Sequence, residues 1–138
     1  MTPLQLSDAS RIIAGVVLIT IVTVEFGGYF MTRIVRGAVD MTDFQKAFAR
    51  AGHAHAGVLV TLSLICLVLV DAAGLHGFLA WVGRLGVPVA AILMSAGFFA
   101  SSSGSGTTQP NRGIVVLWIG AGSLAAGTLA LGIGLLTA

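Results

Sequence analysis

At 138 residues the chain has room for one domain, yet 57% of it is hydrophobic and only 9% charged, where a soluble globular domain carries roughly 25% charge. That balance excludes a water-soluble fold, since so much apolar surface has no interior to fill. A formal charge of +2, with no block of like charges, gives no footprint for nucleic acid.

The first eleven residues lack the basic start of a secretory signal, and the apolar run that follows is too long for a signal core, so it reads as a retained anchor. This first segment covers about 12–34, with Ser7 or Asp8 placed to cap its free amides. A second helix is expected from Asp43 to about residue 70, because Thr42-Asp-Phe-Gln45 fits a capping box. It starts with an interfacial stretch bearing Lys46 and Arg50 and enters hydrocarbon near Ala51. The third segment, about 78–100, carries Arg84 near its start and Pro88 inside, where a kink is expected. The Gly/Ser/Thr-rich residues 101–112 read as a mobile loop. A fourth segment, about 113–138, has no charged residue.

The fold class is therefore an all-α integral membrane protein, a bundle of four transmembrane helices in a single domain. Arg33, Arg36, Lys46, Arg50 and Arg112 lie on one side, Arg11 and Arg84 on the other. That asymmetry predicts both termini outside, and the expected location is the plasma (inner) membrane of a bacterium. Trp81 and Trp118 then mark opposite interfaces. Small-xxx-small pairs, among them Ser123 with Gly127 and Gly52 with Ala56, allow close helix packing, either within the chain or in a homo-oligomer. The expected partners are the lipid bilayer and either further copies or a membrane complex.

Chemistry is concentrated in three residues. Glu25 interrupts the first apolar run, and His53 and His55 open the second. Ionisable groups at membrane depth are costly and normally face a bundle interior, a cavity or one another. Glu25 lies eight residues, about 12 Å, from Arg33, and His55 lies five residues, about 7.5 Å, from Arg50, so the two can share a layer. Rotation is more restrictive. His53 and His55 differ by about 200° around a helix, so one of them, not both, should join Glu25. On the first helix Glu25 shares a stripe with Tyr29 and Thr32, which is expected to look inward. Met94 of the third helix falls near the same layer.

Three uses of such residues are open. A neutral imidazole from His53 or His55 could ligate haem iron or a transition-metal ion, with Glu25 or Met94 as a second ligand or supporting partner. The same residues could relay protons or bind cations in a small oligomeric channel or transporter. They could also be polar pairs that lock helices in an accessory subunit of a membrane complex. The lone Cys66 offers neither a disulfide nor a cysteine metal motif, and no peptidase, kinase or nucleotide motif is present. Asp71, His76 and Arg84, at the far end of segments two and three, read as an interfacial ion-pair cluster.

The stretch Arg50-Ala-Gly-His-Ala-His-Ala-Gly57 resembles the histidine-bearing helix starts of haem-carrying membrane proteins related to haem-copper oxidase subunit I and the NnrS-type nitric-oxide-response proteins. It is also similar to small uncharacterised four-helix bacterial membrane proteins with a His-x-His at helix two. The resemblance implies an axial haem ligand at His53 or His55, with haem b as the cofactor. The further helices and histidines of an oxidase centre are missing, so oxygen reduction is not implied. The reading favoured from sequence is haem or metal binding at the Glu25/His site, with no reaction assigned.

Overall fold

The computed structural model describes residues 5–138 and contains four helices in chain order, α1 (Asp8–Val35), α2 (Asp43–Ala72), α3 (Gly77–Ser101) and α4 (Ile114–Thr137). Each is long and apolar enough to cross a membrane. The protein is thus a four-helix, multi-pass membrane bundle. The start of α1, the end of α4 and the α2–α3 turn lie at one end, called here the terminal end. The α1–α2 and α3–α4 connections lie at the other.

Local chemistry explains the boundaries. Ser7 caps α1 by accepting from the Ser10 amide, and Thr42 caps α2 in a complete capping box with Gln45. At the far ends the chain reverses through Gly37 and Gly74, both with positive φ. After each, an amide closes back five residues, Ala38 to Arg33 and Leu75 to Val70, which satisfies carbonyls the helix leaves free. α3 runs unbroken through Pro88.

The helices do not share contacts evenly. α3 and α4 pack most closely, α2 packs on α3, and α1 rests mainly on α2 with little of its surface buried. Glycine decides the first of these contacts. A Cβ on Gly86 would collide with the Gly127 backbone, and one on Gly97 with Leu117, so these positions let backbone meet backbone. Ser123 adds a 2.8 Å hydrogen bond to the Gly86 carbonyl. The Ser123/Gly127 pair therefore packs within the chain, whereas Gly122 and Gly132 of the same helix meet open space.

Residues 101–112, expected to be mobile, are instead tied down. The Gln45 amide donates to the carbonyls of Ser102 (3.0 Å) and Gly104 (2.7 Å), Thr42 donates to the Thr107 carbonyl, and Asn111 donates to the Ala100 carbonyl at 3.0 Å. Glycine and serine content reported a loop without reporting its anchors. Three of the four bonds come from Thr42 and Gln45 at the start of α2, far away in sequence.

Candidate functional site

The two histidines of α2 point to different helices, as their rotation requires. His55 turns towards α3. Its Nδ1 lies 2.8 Å from the Ala51 carbonyl, to which it donates in the Nδ1–H tautomer, and its ring packs against Phe98 with centroids 4.9 Å apart. One of its nitrogens and its ring face are thus used within the chain, while no partner of Nε2 is found among the described residues.

His53 turns towards α1 and rests on two glycines. A Cβ on Gly27 would lie a tight 3.1 Å from the His53 Nδ1, whereas one on Gly28 would meet Nε2 at 3.7 Å in ordinary contact, so the ring is seated chiefly by Gly27. Neither nitrogen has a hydrogen-bond partner in the chain, and neither is enclosed: among the described residues the one buried polar side-chain atom without a partner is the Ser95 hydroxyl. His53 instead lines an outward-opening groove of about 600 Å³, with Val24 of α1 on one side and Ala54, Gly57, Val58 and Thr61 of α2 as floor. Thr61 donates its hydroxyl to the Gly57 carbonyl, which leaves the imidazole as the groove's free polar group.

Glu25 is placed differently from the expectation. It is exposed on α1, and so are Tyr29, at 60%, and Thr32, whose hydroxyl bonds back to the Tyr29 carbonyl. The stripe expected to look inward therefore looks outward. The physical reason is the small-residue face: Gly27 and Gly28 let α1 approach α2 closely, and Val17 and Ile34 fill the remaining contact, which turns the Glu25 flank away. No hydrogen bond or ion pair within the chain joins Glu25 to either histidine among the described residues. Glu25 nevertheless stays beside the groove, three residues from Gly28 and so about one helical turn from the glycine that touches His53. Met94 is buried with its Cγ against Gly120 of α4. His53 is thus brought to Gly27, Gly28 and the edge of the Glu25 stripe, while His55 and Met94 serve other contacts. Among the described residues no three His, Cys, Asp or Glu side chains converge as a metal-binding group.

A second polar cluster closes the terminal end. Arg84 donates to Asp71 Oδ1 at 2.8 Å and to the Ser10 hydroxyl at 3.0 Å, and Ser7 donates its amide and hydroxyl to the same carboxylate at 2.8 and 3.1 Å. The Arg84 and Asp71 side chains are only 12% and 6% exposed, and the guanidinium lies 5.9 Å from the Trp81 ring centre. Sequence suggested an exposed interfacial pair with His76; the pair is largely shielded from solvent, and His76 is exposed at the start of α3 with no capping bond. Ser7 and Ser10 were the missing partners. Their helical N-terminal position was legible, but not the α2–α3 corner they meet.

Beneath this clamp, α1 and α3 diverge over α2 and leave an apolar cleft of about 470 Å³, lined by residues such as Val17, Val24, Val60 and Ile92. Its hydroxyls are mostly turned inward to their own helices: Thr20 donates to the Val17 carbonyl and Ser63 to the Leu59 carbonyl, each at 2.6 Å. Neither histidine lines it.

The chain matches no family model, no curated protein and no solved structure. Function therefore rests on the geometry of these two polar regions, and only one of them presents groups free to act.

Proposed function

We propose that the protein is a membrane-embedded cofactor-binding protein in which the His53 groove takes haem, with His53 as the axial ligand. One observation carries this reading: an imidazole at membrane depth has both nitrogens without a partner and faces an apolar groove of about 600 Å³. An unpaired polar group in hydrocarbon costs several kcal/mol, so a sequence that keeps one there gains from a ligand. Haem suits this donor set better than a bare ion. A porphyrin supplies four equatorial nitrogens and asks the protein for one or two axial ligands. A transition-metal ion held by protein donors alone would need further ligands from outside the chain, given that no three such side chains converge among the described residues.

A path for protons or cations through one chain has less support. The α1–α3 cleft is predominantly apolar, and among the described residues no charged side chain or histidine lines it. An accessory role in a membrane complex is compatible with haem binding and needs no separate site.

The test is an absorption spectrum with metal analysis of detergent-purified protein from haem-sufficient cells, followed by haem titration. A Soret band with about one haem per one or two chains is expected. A colourless preparation that takes up no haem on titration would contradict the reading.

A further inference from the structure

We infer that the α1/α2 face is an interface between two copies of this chain, in which Glu25 of each copy enters the His53 groove of the other. The inference rests on the reading of that groove as the site, although its test requires no haem.

The argument begins with cost. Glu25 is exposed on a membrane-spanning helix and has no hydrogen-bond or ion-pair partner among the described residues. An acidic side chain in hydrocarbon is expensive and almost always meets a cavity or a polar partner. On this face His53, like the Tyr29 hydroxyl, has no hydrogen-bond partner among the described residues, and of the two it is the imidazole that complements Glu25 as base to acid.

Depth and symmetry then agree. His53 packs against Gly27 and Gly28, so Glu25 lies only two residues, about 3 Å along the axis, from the level of the imidazole. A two-fold axis along the membrane normal preserves depth and makes every contact occur twice. A carboxylate at the level of His53 in one copy is therefore at the level of His53 in its partner, and the two cross-pairs form together. The groove's shape permits the approach. Gly57 meets nothing within 4 Å, and Ala54 is exposed beside it. On α1, Leu18 and Tyr29, exposed at 52% and 60%, flank Glu25 on the same stripe and supply apolar contact above and below the pair.

The pairing also completes the site. A carboxylate accepting from one imidazole nitrogen fixes the ring and its tautomer and leaves the other nitrogen for a metal centre. Glu25 of the partner subunit is then a positioning residue, and His53 is the ligand.

The experiment measures association of labelled copies in liposomes by energy transfer on dilution into excess lipid. The wild type should associate, and Glu25→Ala and His53→Ala should each weaken association by about tenfold, the equivalent of about 1.4 kcal/mol. Mixing the two variants is decisive. A chain lacking Glu25 but keeping His53, paired with one of the opposite kind, restores one of the two cross-pairs, so the mixture should associate more tightly than either variant alone. A mixture no tighter than its parts, or single variants as tight as wild type, would overturn the inference. Glu25→Gln, with unchanged shape, serves as a second variant should Glu25→Ala fold poorly, and it should weaken association in the same direction. Haem titration of the same samples separates the two readings: a wild type that dimerises but takes up no haem would sink the haem assignment alone.

Discussion

The terminal-end clamp and the His53 groove hold similar residues in opposite conditions. At the clamp, Asp71 accepts from Arg84 and twice from Ser7, Arg84 also reaches Ser10, and both charged side chains are largely shielded from solvent. At the groove, His53 lines the opening and Glu25 stands on the exposed flank of α1 near its level, and among the described residues neither has a hydrogen-bond partner. The contrast separates polarity that builds the fold from polarity left for something else. A closed set of hydrogen bonds explains why Arg84 is at membrane depth without invoking a ligand. No such account exists for His53.

If that division is right, variants at the two regions should behave oppositely. Asp71→Ala leaves the Arg84 cation buried without its counter-charge, and it should cost about 3–5 kcal/mol of stability, as broken buried pairs do. Denaturation in mixed micelles would measure it, and haem uptake by the surviving folded fraction should be unchanged. Gly86→Val forces α3 away from the Gly127 backbone and should cost about 1–3 kcal/mol by the same assay. Gln45→Ala removes the capping-box partner and the donor to two loop carbonyls, for an expected loss of about 1–2 kcal/mol. Faster proteolysis within residues 101–112 would accompany it. Smallest is Glu25→Gln, which should change the stability of the single chain by no more than about 0.5 kcal/mol, because it breaks no contact within that chain. A large loss there would place Glu25 with the clamp rather than with the groove.

The helices were legible because length and hydropathy leave little choice in a bilayer, and the capping box marked the start of α2 to the residue. The rotation of His53 against His55 was legible too, since it depends only on helical geometry. What sequence did not show was the facing of α1. In water an apolar stripe marks the buried side, but in lipid both sides are apolar, so a single carboxylate was read as pointing inward when the fit of Gly27 and Gly28 on α2 set the rotation. The glycine pair directly after Glu25-Phe26 was the available signal. The anchored loop was missed for a related reason: Gln45 reaches Ser102 across a sequence distance that no local pattern encodes.

The central claim is that His53, and not His55, holds a ligand. Haem titration of His53→Ala and His55→Ala side by side tests it most directly. The account predicts that His53→Ala loses the Soret band of the bound complex, while His55→Ala, which gives up only its bond to Ala51 and its packing on Phe98, keeps it. Retention of the band by His53→Ala together with its loss in His55→Ala would contradict the account.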